Sequence, residues 1–317
     1  MNVIEWLKSE DLFTKYHVEK YLLENYYSAS NIKEVINTSD FAKTIISRQD
    51  LKTSLWDEGI YSPKYTSTHY SLLILCELGI DLSETRYLKT INILLENMWY
   101  KGGKVSNYRH QDMCVVAMMI RICSQAKMTD QRLYEMIDYV LEYKMSDGGW
   151  NCSWERRPYP KQSSLHTTLS VLEAFANLKD LNYSYRLDEI NEGCKTGSEY
   201  ILTKRLFKSV RTGEIIHKDM LKFPFPHGWK YDMLRALYVM ANLNIPYDER
   251  MEDGLNNIIN RLDDYGRIKA DSLSVGKYYG IYRRANQLSP FNTYRVLLVL
   301  KKYKYSNYCN FINKNMI

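Results

Sequence analysis

Several things are scarce in this 317-residue sequence, and each scarcity removes a class of protein. No dense run of lysine or arginine occurs; 43 basic and 37 acidic residues interleave and leave a net charge of +6. That mild excess is no nucleic-acid footprint, although it suits a site for an anionic small molecule. The longest apolar runs, Tyr70 to Cys76 and Cys114 to Ile120, fall far short of the roughly 20 residues of a membrane-spanning helix, so no transmembrane segment is expected. Residues Met1 to Trp6 are followed at once by charges, so no secretory leader is read and a cytoplasmic location is expected. The six cysteines (76, 114, 123, 152, 194 and 309) lack the spacing of a disulfide framework and are expected to be free thiols or metal ligands. Strand-like alternation is nearly absent. Acid pairs are few: Asp57-Glu58 and Asp263-Asp264 both flank turn glycines, where carboxylates commonly serve turn geometry.

What is present is a globular composition, 45% hydrophobic and 25% charged, arranged as an internal repeat. A turn with a central glycine recurs at Trp56 to Ile60, Tyr100 to Lys104, Ser146 to Trp150, Arg211 to Glu214 and Asp264 to Ile268. After each turn comes a loop and then a helix with apolar residues at i, i+3/i+4 and i+7: Leu72, Leu73 and Cys76; Val116, Met119, Ile120 and Cys123; Leu165, Leu169, Leu172 and Ala176; Leu234, Leu237 and Ala241; Val296, Val299, Leu300 and Tyr303. A second helix per repeat is read over Leu88 to Tyr100, Asp130 to Tyr143, Gly197 to Lys208 and Met251 to Leu262. With a helical segment over residues 1–54 this makes about six helix pairs in one domain, 1–317, enough to close an all-α α/α toroid. An open solenoid is the alternative, but its apolar end faces would need caps.

The residues that carry a family likeness are spread over most of the chain. Lys144 to Trp150 resembles the Gln-Trp repeat of squalene and terpenoid cyclases, and Gln49 to Trp56 is a weaker copy. Ser164 to Leu169 resembles the His-Thr helix start of protein prenyltransferase β subunits. Tyr61 to His69, Asp147 to Cys152, Phe223 to Pro226 with Trp229 to Asp232, and Phe291 to Arg295 are similar to phrases of bacterial prenyltransferase/squalene-oxidase repeat proteins. The likeness implies a toroid of the terpenoid cyclase/protein prenyltransferase type. It also implies a prenyltransferase-like transferase handling an isoprenoid or other apolar small molecule. No Asp-x-Asp-Asp motif is present, which argues against protonation-driven cyclisation of the squalene type. The rival expectation is a non-catalytic toroid that binds a lipid, a peptide or a protein partner. A glycan enzyme on the same kind of barrel would need paired acidic residues facing the cavity, and the sequence displays no convincing pair.

Site expectations follow. When the repeat helices are aligned, Cys114 and His166 fall at equivalent starts of neighbouring inner helices. The resemblance puts Asp112, Cys114 and His166 in the role of zinc ligands, with Cys152 and His69 as alternates; thiolate, imidazole and carboxylate suit Zn²⁺. Lys104, Arg109, Arg156, Arg157, Lys161, Lys230 and Arg235 lie near inner-helix starts and would form a rim for a diphosphate. Trp56, Tyr65, Trp150, Trp154 and Trp229 would line the cavity mouth, where aromatic faces can hold an isoprenoid chain, or would pack the repeats together.

Overall fold

The computed structural model describes residues 1–57, 59–99, 104–106 and 109–316, with the main chain alone at 104–106 and 109. The expected turn Tyr100 to Lys104 therefore lies largely outside the described residues, as does Glu58 of the acid pair at 57–58. Among the described residues the helices come in six groups. The first holds α1 (Val3–Glu10), α2 (Leu12–His17), a π-helical turn Val18–Leu22, α3 (Tyr26–Val35) and α4 (Asp40–Ile46). Five pairs follow: α5 (Thr68–Leu78) with α6 (Thr85–Met98), α7 (Met113–Gln125) with α8 (Gln131–Glu142), α9 (Leu165–Asp180) with α10 (Leu187–Thr203), α11 (Met233–Asn242) with α12 (Glu252–Ile259), and α13 (Pro290–Tyr303) with α14 (Tyr305–Ile312). A short antiparallel pair, Lys104–Ser106 with Arg109–His110, is the only strand ladder described.

Burial sorts each pair into an inner and an outer helix. α5 and α13 are buried almost all round. α6 and α8 bury one stripe and wet the other, as the amphipathic spacing of their sequences requires. The inner helices pack in succession, α5 on α7, α7 on α9, α9 on α11 and α11 on α13. α13 then packs on α1, α2 and the π-helical turn, while α4 packs on α5. The N-terminal group thus fills the gap and the hairpins close into an α/α toroid around one continuous core running from Val3 to Tyr308.

The repeat is also visible in hydrogen bonds. Trp56 N–H bonds to Thr68 Oγ1 at 3.0 Å, Trp150 N–H to Thr168 Oγ1 at 3.1 Å and Ile268 N–H to Thr293 Oγ1 at 3.1 Å. Each ties a turn to the first residues of the inner helix that follows it. The indole N–H groups of Trp56 and Trp150 reach back to Ile45 O (2.8 Å) and Val140 O (2.7 Å) on the preceding outer helices. Both rings are fully buried, so they join neighbouring pairs and do not line a cavity mouth. Gly148 and Gly266 end their turns with φ of +91° and +79°, where a side chain would be strained.

One boundary departs from the sequence reading. α10 begins at Leu187, ten residues before the expected start at Gly197. Gly193 and Gly197 look like helix breakers but sit inside it. A methyl group at Gly193 would stand 2.8 Å from the Phe175 ring, and one at Gly197 2.9 Å from the Trp150 ring. The glycines let the outer helix close onto those aromatics, a packing gain that offsets their cost of roughly 1 kcal/mol each in helix propensity.

Candidate active site: a charged axis and a loop-end cleft

Within the apolar stretch of each of the five inner helices stands a single charged residue, and all five converge on the ring axis: Glu77 of α5, Arg121 of α7, Glu173 of α9, Arg235 of α11 and Arg295 of α13. Arg235 grips Glu173 with two parallel bonds of 2.5 Å, and Arg121 reaches the same carboxylate at 2.9 Å. Arg295 pairs with Glu77 across the ring. His227, from the loop before α11, puts Nε2 2.6 Å from Glu77 and 3.9 Å from Glu173, while its Nδ1 lies 2.9 Å from Gly228 O. Burial alone would push both glutamates up. The His227 and Arg295 charges hold Glu77 well below the usual carboxylate range, and Arg235 and Arg121 bring Glu173 down to about 2. A hollow of about 380 Å³ reaches this network from the C-terminal ends of the inner helices, past His17, Lys20 and Tyr238.

At the opposite end, where the long loops gather, a cleft of about 420 Å³ is lined by His166, Asp219, Lys222, Trp229, Lys230 and Asp232, among others. Asp232 caps α11, accepting the Arg235 N–H at 2.8 Å. It makes no direct ion pair with the nearby cations, and burial pushes its carboxyl above the ordinary value against the attraction of His227 and Arg235. Asp219 is the reverse case: exposed, hydrogen-bonded to Lys222 at 2.7 Å and held below the ordinary value by it. His166, at the start of α9, accepts the Tyr231 N–H at Nδ1 (2.8 Å), so its other nitrogen carries the proton of a neutral ring. Burial, with Arg235 and Lys230 adding to it, lowers that ring to about 4. The Trp229 ring lies 5.3 Å from it.

The expected residues scatter between these places. Asp112 is engaged by Arg156 at 2.5 Å, Cys114 sits against Cys152, and His166 is held by Tyr231. His69 is fully buried against Tyr61 and Tyr70. Among the described residues no three His, Cys, Asp or Glu side chains gather as a metal ion would require. Of the expected diphosphate rim, the side chains of Lys104 and Arg109 lie outside the described residues. Arg156, Arg157 and Lys161 are exposed on the loop before α9, whereas Arg235 is buried and spent on Glu173. Lys230 alone of that set lines the loop-end cleft. Of the aromatics, Tyr65 stacks on Tyr278 and Trp154 on Tyr143, leaving Trp229 in the cleft.

No protein-family model and no curated protein matches the chain. Solved structures do. A glycosyl hydrolase family 88 protein from Bacteroides vulgatus aligns over 95% of this chain and 90% of its own, with a TM-score of 0.50 and 14% identity. A polysaccharide lyase aligns over 93% and 90%, with the same TM-score and identity. Likeness at that identity shows the toroid fold.

These findings overturn the likeness to terpenoid cyclases and protein prenyltransferases, and with it the isoprenoid or apolar ligand, the prenyltransferase-like activity and the zinc. The physical reason is on the axis. An isoprenoid chain needs an apolar hollow, and this one is lined by Glu77, Glu173, Arg121, Arg295, Lys20 and His17 among others. No helix among the described residues is long and apolar enough to cross a membrane.

Sequence reasoning missed the whole axial network and the role of Asp232. The axial signal was legible: a single charge inside each of the apolar stretches Leu72 to Leu78, Val115 to Cys123, Leu169 to Phe175, Met233 to Ala241 and Phe291 to Leu300. A lone charge in a buried helix demands a partner, and five of them in successive repeats point to one another.

Proposed function

We propose that this chain is a carbohydrate-processing enzyme that breaks a glycosidic linkage in the loop-end cleft. One observation carries the reading: the cleft holds a carboxyl pushed up by burial and a carboxylate held down by a lysine. Two acids driven apart in this way are what general acid–base cleavage needs. Asp232 would give its proton to the leaving oxygen. Asp219 would take a proton, from water in a hydrolysis or from a sugar carbon in an elimination. His166 would donate a hydrogen bond from Nε2, and the Trp229 face would bind a sugar ring. The names of the two solved neighbours support the substrate class, and their near-complete overlap with the chain supports one domain spanning 1–317. We place the protein in the cytoplasm on the strength of its unbonded cysteines, which suit a reducing compartment.

The test is a panel of neutral and acidic oligosaccharides incubated with wild type and with Asp232→Asn. New reducing ends without ultraviolet absorbance indicate hydrolysis; new reducing ends with the absorbance of an unsaturated sugar indicate elimination. Cleavage by wild type that Asp232→Asn loses supports the assignment. Equal cleavage by both proteins, or no glycan bound or cleaved across the panel, overturns it.

A further inference from the structure

Cys152 and Cys114 lie outside the cleft and take no part in the chemistry proposed for it. Cys114 occupies the first turn of α7, and Cys152 lies on the loop that leads into α9. The backbone N–H of Cys114 points at Cys152 Sγ from 3.2 Å, and the Thr167 hydroxyl donates to the same sulfur at 3.3 Å. The Cys114 N–H belongs to a helix start, where amide hydrogens lack partners of their own and the helix end is positive. These groups favour a thiolate on Cys152 in preference to Cys114. The Cys114 thiol hydrogen bond is the largest influence lowering Cys152, ahead of the Thr167 hydroxyl and the helix N–H; burial and the Asp112 carboxylate oppose them. Cys114 is raised by the same pairing and by burial. Both residues are partly exposed, as are Cys76 and Cys309, whereas Cys123 and Cys194 are buried. Burial also pushes the Cys76 and Cys194 thiols up to about 12.

We propose that Cys152 and Cys114 form a peroxide-reactive dithiol, with Cys152 the attacking thiolate and Cys114 the resolving thiol. The Cys152 thiolate attacks one peroxide oxygen and the O–O bond breaks. Sulfur gains that hydroxyl as sulfenic acid, and the other oxygen leaves as hydroxide or alkoxide and takes up a proton. The Cys114 sulfur then attacks the Cys152 sulfur and displaces the hydroxyl, which leaves as water with the thiol proton. Two thiols are oxidised by two electrons, and the peroxide is reduced to water or an alcohol and water. The resulting disulfide ties the start of α7 to the loop before α9.

The experiment treats the full-length protein with one equivalent of hydrogen peroxide, blocks remaining thiols with N-ethylmaleimide and maps the peptides. The expected result is a Cys114–Cys152 linked peptide with Cys76, Cys123 and Cys194 left reduced. In Cys114→Ser, oxidation stops at a Cys152 sulfenic acid that dimedone traps; in Cys152→Ser, Cys114 stays reduced at the same dose. Without any substitution, brief alkylation of the reduced wild type should label Cys152 at least about tenfold faster than Cys76 or Cys194. Sulfenic acid on Cys114, oxidation spread evenly over the six cysteines, or no linked peptide in the wild type would each overturn the proposal.

Discussion

Glu173 on the ring axis and Asp232 in the loop-end cleft are both buried, at 8% and 3% exposure, yet their protons behave in opposite ways. Glu173 is clasped by two guanidinium groups and gives up its proton at about 2. Asp232 has charged neighbours but no direct ion pair; its bonded partner is a main-chain N–H, and desolvation wins. Depth alone therefore does not decide what a buried acid does. Contact with a permanent cation turns it into a fixed strut, and lack of that contact leaves it a proton to give. The axis holds the ring together, joining α5 to α13 and α7 to α9 and α11. In the cleft Asp219 pairs with Lys222, and Asp232 is left without a direct ion pair.

The sharpest way to break this contrast is to substitute each acid by its amide. Asp232→Asn should lower glycan cleavage by about 10²–10⁴-fold, the usual contribution of a general acid. Asparagine caps a helix as well as aspartate, so the variant should unfold no more easily than wild type at pH 7 in a denaturant titration. Glu173→Ala should do the reverse. It strands Arg235, 1% exposed, without its partner, and a loss of about 3–5 kcal/mol is expected from urea midpoints. Glu173→Gln should fall between these, because it retains shape but not charge.

Acid titration of stability sharpens the comparison further. Glu173 has a folded value of about 2 against an ordinary 4.5, so its contribution is complete above 4.5 and lost as pH falls towards 2. A loss of roughly 3 kcal/mol across that window is expected in wild type and should vanish in Glu173→Gln. Asp232 works the other way. Its folded value is raised, so its contribution is complete below the ordinary 3.8 and is lost as pH rises through the folded value. Asp232→Asn should therefore gain stability relative to wild type as pH rises from 3 to 7. The smallest effect concerns the platform: Trp229→Ala should weaken oligosaccharide binding by about tenfold in calorimetry while leaving the unfolding midpoint nearly unchanged.

How much of this was legible in the sequence depends on how local the cause is. The turn glycines and the apolar period of the inner helices are set within a dozen residues, and the hairpins and their closure appeared as read. The axial salt bridges link residues as far apart as Glu77 and Arg295, and only their isolation among leucines and valines advertised them. Asp112 and Cys114 looked like metal ligands because their spacing matched a motif. Arg156 and Cys152, brought in by the loop before α9, instead occupy them. Asp232 gave no sign at all: an aspartate before a helix reads as a cap, which it is, and only the surrounding fold raises its proton affinity.

The most direct measurement is a carboxyl-carbon NMR titration of the folded protein, with Asp232 assigned by its loss in Asp232→Asn and Glu173 by its loss in Glu173→Gln. The Asp232 signal should titrate with a midpoint above 3.8, while Glu173 stays ionised down to about 2. A midpoint for Asp232 below 3.8, or one for Glu173 above it, would contradict the division of labour between cleft and axis.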